Sequence, residues 1–125
     1  MEDLVKKAKN YFILARIAER VGMISESASN YFKAVSAVND FMLEKKGLKA
    51  KDHSDRFSLL KQNIPELYKI TDRMFTIYRR TYTSEITEIE IKALKKDVEE
   101  IFKNASLSIP SDREVEEEIK KISKE

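Results

Sequence analysis

The stretch SESASNYFKAVSAVNDFMLEKKG, residues 25–47, reads as one long amphipathic helix. Ala28, Tyr31, Phe32, Val35, Val38, Phe41 and Met42 recur at intervals of three and four, the spacing that gathers side chains on one side of a helix. Ser25 is placed to cap the start with its hydroxyl, and Gly47 to end the helix in a left-handed conformation. A stripe this apolar needs something to pack against, and the preceding segment supplies it. From about Asp3 to Val21, Leu4, Tyr11, Leu14, Ala18 and Val21 share one stripe, with Val5, Ala8, Phe12 and Ala15 beside it, and Gly22 stops the helix. Two long helices joined by so short a turn must fold back as an antiparallel hairpin.

Downstream, Leu48 to Asp55 is a polar, basic loop, and Asp52 or Ser54 caps a short helix carrying Phe57, Leu59 and Leu60. Pro65 either opens the next helix or kinks a continuous one. That helix, reaching about Tyr82, has Leu67, Ile70, Met74 and Ile77 on one face, while Tyr68, Phe75 and Tyr82 recur every seven residues on another. If no helix of the chain covers the Tyr68, Phe75 and Tyr82 stripe, it predicts a symmetric dimer. Thr87 with Glu90 forms a capping box before Ile91, Leu94, Val98, Ile101 and Phe102. Ser111 with Glu114 repeats the pattern, but only Val115, Ile119 and Ile122 follow it in a charged run, so residues 106–125 form a short peripheral helix or a frayed tail. The expected organisation is one helical bundle over residues 1–105 followed by that segment.

Composition agrees with an all-α fold. Of 125 residues, 42% are hydrophobic and 37% charged, with two glycines and two prolines, too few turn residues for a β architecture. The absence of cysteine excludes disulfides, thiol catalysis and thiolate metal sites, and one histidine cannot make a histidine metal cluster. Lys6, Lys7, Lys9, Arg16, Glu19 and Arg20 interrupt any apolar run at the N-terminus, so neither a signal peptide nor a membrane span is expected and the cytoplasm is the expected location. Residues 1–83 carry a net charge of +6 and residues 84–125 a net −4. The basic part suits an anionic partner, although lysines and glutamates solvating helix faces account for the same count.

No phosphate-binding glycine loop, Ser-His-Asp set or metalloprotease motif is present. What stands out is a polar cluster: His53, Asp55 and Arg56 open the third helix, and Asp72, Arg73, Arg79 and Arg80 lie on the fourth. Asp72, Thr76 and Arg79 fall on one helical face, and Arg73 and Arg80 on a neighbouring one. A guanidinium grips phosphate with two parallel charge-assisted hydrogen bonds, and Tyr78 and Tyr82 offer rings on which a base stacks. His53 is a general acid or base, or a phosphate contact. The alternative is that the arginines pair with carboxylates and the histidine sits at a helix cap.

The run Ser27-Ala28-Ser29-Asn30-Tyr31-Phe32-Lys33-Ala34, then Gly47, then His53-Ser54-Asp55-Arg56-Phe57, then Tyr78-Arg79-Arg80-Thr81-Tyr82, resembles the HEPN family in order and spacing. It is most similar to the small prokaryotic branch that stands alone or sits beside a nucleotidyltransferase, and the likeness covers roughly residues 3–105. The resemblance implies an up-and-down bundle of four to five helices, a homodimer, and a polar cleft where fourth-helix arginines face each other. It also implies nucleotide binding, and either RNA cleavage by a toxin or partnership with a minimal nucleotidyltransferase in a toxin–antitoxin pair. Cleaving members place a histidine shortly after the arginine, the arginine steadying the phosphate and the histidine moving protons. Here Arg79 and Arg80 are followed by Thr81, Tyr82, Thr83, Ser84, Glu85 and Ile86, and no histidine lies beyond position 53. The expectation is therefore a module that binds a nucleotide or RNA phosphate through Arg56, Arg73, Arg79, Arg80, Asp72 and Tyr82, without a metal and with no cofactor beyond a nucleotide ligand. The alternatives are a metal-independent ribonuclease using His53 with Arg79 or Arg80, and a non-catalytic helical scaffold.

Overall fold

In a computed structural model describing residues 1–123, α1 (Glu2–Arg20) and α2 (Ile24–Glu44) fold back on each other through a three-residue turn. Gly22 takes φ +79°, and the Met23 N–H donates to the Ala18 carbonyl at 2.9 Å, closing the end of α1 as a glycine stop should. Gly47, at φ +76°, ends α2 in the same way. Ser25 does not cap α2. The Ser27 N–H already donates to the Met23 carbonyl, so the helix begins at Ile24, with Met23 at the cap and no side-chain bond there.

The face of α1 that meets α2 is Ala8, Phe12, Ala15 and Ala18. Leu14 and Val21, expected on the buried stripe, are 47% and 66% exposed. Small residues explain the rotation. Ser27 Oγ donates to the Ala15 carbonyl at 2.8 Å, an approach that larger side chains at the crossing would block.

α3 (His53–Asn63) is capped by Asp52, whose carboxylate accepts from the Asp55 N–H. Ile64 alone separates it from α4 (Pro65–Arg80), so Pro65 opens a new helix. Phe57 of α3 packs edge-on against Tyr68 and Phe75, with centroids 6.2 and 5.0 Å apart. The chain's own third helix thus covers two rings of the seven-residue stripe, and only Tyr82, 74% exposed, stands clear. The apolar stripe on which the dimer expectation rests is largely internal.

α5 (Glu88–Asn104) starts with the complete Thr87–Glu90 capping box and buries Ile91, Leu94, Val98, Ile101 and Phe102. At its end Ser106 adopts φ +57° while the Leu107 N–H reaches the Phe102 carbonyl, the same stop that Gly22 makes but built on a residue with a Cβ. A left-handed conformation costs a non-glycine residue about 1–2 kcal/mol, partly offset by glycine's larger unfolded entropy. Ser106→Gly should therefore raise stability by up to about 1 kcal/mol in urea unfolding; a loss of stability would refute this account of the stop.

α6 (Asp112–Ser123) follows a second reciprocal cap between Ser111 and Glu114. It docks on α1: Val115 is buried, Arg16 pairs with Asp112 at 2.9 Å, and Arg20 pairs with Glu116. The Arg16 guanidinium holds the Asp112 carboxyl below its usual range. The segment expected as a peripheral helix or frayed tail is thus a helix attached by charge, apart from residues 124 and 125, which lie outside the described residues. All six helices are α, no strand occurs among the described residues, and no described helix is long and apolar enough to cross a membrane.

Candidate functional site

Three of the four arginines singled out in the sequence hold carboxylates. Arg56 presents Nε and Nη2 to Asp40 of α2 at 2.7 and 3.0 Å, which pins the start of α3 against α2. Arg73 grips Asp97 of α5 with Nη2 at 2.6 Å and Nε at 3.3 Å, and that bond pushes the pKa of Arg73 further up. Arg80 pairs with Glu90 and reaches the Glu85 carbonyl, tying the end of α4 to the start of α5. The Glu90 carboxyl is held below its usual range, first by the Thr87 backbone N–H and then by Arg80. Arg79 is different. It has no carboxylate partner among the described residues, and its guanidinium lies over the Phe75 ring, 5.6 Å from the centroid. Asp72, on the same helical face, is exposed, and its carboxylate forms no ion pair among the described residues.

Phe75 belongs to an aromatic cluster that brings Arg79, His53 and Tyr82 to one side of the molecule. Phe32 of α2 stacks on Tyr78 at 4.3 Å, lies 5.6 Å from Phe75, and has the His53 ring 6.2 Å away. Tyr82 stands edge-on to Tyr78, their hydroxyls 2.8 Å apart. Burial, then the bond to Tyr82, pushes the Tyr78 hydroxyl up to about 12, so it is no base at neutral pH.

His53 is oriented from behind. Arg56 Nη1 lies 2.8 Å from His53 Nδ1. A guanidinium only donates, so Nδ1 accepts and the proton of the neutral ring sits on Nε2. Held this way, His53 offers its Nε2–H as a hydrogen-bond donor.

Two hollows flank this cluster and adjoin at Lys33. The inner one, about 220 Å³, lies between α1, α2 and the His53 end of α3, with Lys7, Phe32, Lys33, Asp40, His53 and Tyr78 in its wall. Ser36 Oγ is buried there and has no hydrogen-bond partner. The outer one, about 270 Å³, is polar and includes Glu26, Ser29, Asn30, Lys33, Thr81 and Tyr82. Neither Lys7 nor Lys33 pairs with a carboxylate among the described residues. A further hollow, about 510 Å³, shares Leu4 and Asp40 with the inner one and carries Asp3 and Glu44 beside Met1 and Lys49. No three His, Asp or Glu side chains among the described residues converge as metal ligands.

The site therefore draws His53, Arg79 and Tyr82 to one side, with Arg56 behind the histidine, while Arg73 and Arg80 turn to α5. Lys33 and Ser36 do not stand out in the sequence, because lysines and serines are common on helices. Their three-residue spacing toward Phe32 and Tyr78 gains meaning only from α4 lying beside them. Fold and site together define an all-helical bundle with a tyrosine-edged face that carries Lys7, Lys33 and Arg79 alongside Glu26 and Asp40. Comparisons with protein-family models, curated proteins and solved structures bring no match.

Proposed function

We propose that this chain is a HEPN-like module that binds a nucleotide or RNA phosphate through Arg79, in a symmetric dimer whose cleft is lined by Arg79 from each copy, and that it partners a minimal nucleotidyltransferase of the toxin–antitoxin kind. The observation that carries the reading is Arg79: it alone among the four arginines keeps its hydrogen-bonding fork free of carboxylates, on the side that also bears His53 and Tyr82. A guanidinium held over an aromatic ring keeps its planar fork free to donate two parallel hydrogen bonds to phosphate oxygens. Binding is favoured over cleavage because no histidine follows Arg79 in the chain and the Nδ1 of His53 already faces Arg56.

Isothermal titration with ATP, other nucleotides and short RNA tests the reading. Losing a charge-assisted contact worth about 1.5–3 kcal/mol should make Arg79→Ala bind at least about tenfold more weakly than wild type. Light scattering checks the dimer, and a pull-down scored for a nucleotidyltransferase checks the partner. The ion pairs of Arg56, Arg73 and Arg80 favour a second reading, a non-catalytic scaffold whose arginines only hold helices together. Absence of binding by the wild-type protein would leave that one standing.

A further inference from the structure

We propose that the outer face of α1 is a docking groove for an acidic amphipathic helix of a partner protein, and that α6 is the built-in occupant which such a helix displaces. The groove is separate from the phosphate site and uses none of His53, Arg79 or Tyr82.

α1 is apolar on two sides. It gives Ala8, Phe12, Ala15 and Ala18 to the core and leaves Ile13 and Ile17 half-buried and Leu14 exposed on its outer side. A helix of that kind lies between a bundle and something laid upon it. Here that something is α6, and α6 is lightly held. Val115 is its one buried side chain among the described residues, and α1 is its main neighbour. The segment before it is anchored separately, since Leu107 and Ile109 pack on the core and Pro110 is buried. α6 can therefore leave α1 by turning about Ser111 without disturbing α5.

The chemistry of the attachment names the occupant. Arg16 and Arg20, about one turn apart on α1, meet Asp112 and Glu116, about one turn apart on α6. The Arg16 side chain is only 16% exposed, and Asp112 is its one carboxylate partner among the described residues. A largely covered guanidinium left without a carboxylate is costly, so any helix that replaces α6 must bring one. A matching helix carries carboxylates at i and i+4, as Asp112 and Glu116 do, and apolar side chains at i+3 and i+7, as Val115 and Ile119 do. α6 has this pattern but does not fill the groove. A hollow of about 250 Å³ remains between Asn10, Ile13, Leu14 and Ile17 of α1 and Glu118 and Ile122 of α6. Glu118 turns to Lys121 at 3.2 Å instead of filling it, and Leu14 and Ile122 stay exposed. A partner helix with a bulky apolar residue in the place of Glu118 buries that strip, a gain that offsets the advantage α6 has from its tether.

Fluorescence anisotropy with a labelled peptide of residues 108–123, added to the full chain, tests the proposal. In wild type the tethered α6 holds the groove, and the peptide should bind weakly. A chain carrying Asp112→Lys and Glu116→Lys repels its own α6 and should take the native peptide at least about tenfold more tightly, because both arginines are then free to pair with it. A chain carrying Arg16→Glu and Arg20→Glu should refuse the native peptide and accept one carrying Asp112→Lys and Glu116→Lys. Glu118→Leu in the native peptide should tighten its binding to the first variant about tenfold by filling the hollow. Circular dichroism checks that both chains stay folded. If the first variant binds the two peptides alike, or binds neither, the groove is wrong. If light scattering finds wild type paired through this face, with the pairing lost in the first variant, the occupant is α6 of a second copy and the partner helix is overturned.

Discussion

Phe12→Ala is expected to lower the free energy of unfolding by about 3–5 kcal/mol, a large share of the roughly 5–15 kcal/mol that stabilises a typical domain. Phe12 is fully buried, and its ring lies 5.7 Å from both Tyr31 of α2 and Phe102 of α5, so one side chain joins three helices. Its neighbours along α1 are Ala8 and Ala15, too short to fill the space it would leave. Collapse is further resisted by Tyr31, whose hydroxyl donates to Glu19 at 2.8 Å and is pushed well above its ordinary pKa by burial and by that carboxylate. Urea unfolding followed by far-UV circular dichroism reads the effect; a loss below about 1 kcal/mol would show that the three helices do not meet on this ring.

Arg73→Ala is expected to lose about 1–3 kcal/mol, toward the low end because solvent screens the arginine's side of the pair. The Arg73 side chain is 58% exposed, whereas Asp97 is 12% exposed and sits one residue from buried Val98. Removing the guanidinium leaves a largely buried carboxylate with no partner, and adding Asp97→Ala should recover part of the loss because no charge then remains to be desolvated. Arg79→Ala should change stability by no more than about 0.5 kcal/mol, since its guanidinium pairs with no carboxylate among the described residues. The two arginines, six residues apart on one helix, should thus separate: one variant loses stability and keeps nucleotide binding, the other the reverse. Equal effects on both readouts would remove the distinction on which the site rests.

Features set within a few residues of chain are legible in the amino-acid sequence. The Gly22 and Gly47 stops and the Thr87–Glu90 box each satisfy backbone groups within about one turn, so local sequence states them, whereas it leaves open whether Asp52 or Ser54 caps α3 and whether Pro65 opens α4 or kinks a continuous helix. The α5 stripe is legible for the related reason of periodicity. The buried line of α1 is not, because helical spacing names neighbouring stripes but not which of them a partner helix approaches. That choice falls to Ala8 and Ala15, whose small side chains admit α2.

The site divides along the same line. That arginines, one histidine and tyrosines gather around the third and fourth helices is readable from their positions. Which arginine remains available is not, since the carboxylates that occupy Arg56, Arg73 and Arg80 lie 16, 24 and 10 residues away in the chain. Sequence by itself determined an all-helical chain and the ends of α1 to within a residue, together with the gathering of arginines, tyrosines and one histidine on the third and fourth helices. Tertiary packing decided that α3 covers the Tyr68 and Phe75 rings, that Arg79 alone among these arginines has no carboxylate partner among the described residues, and that Lys33 joins two hollows. Ion pairing and burial depend on distances between elements remote in sequence, and only the folded arrangement of the helices sets those distances.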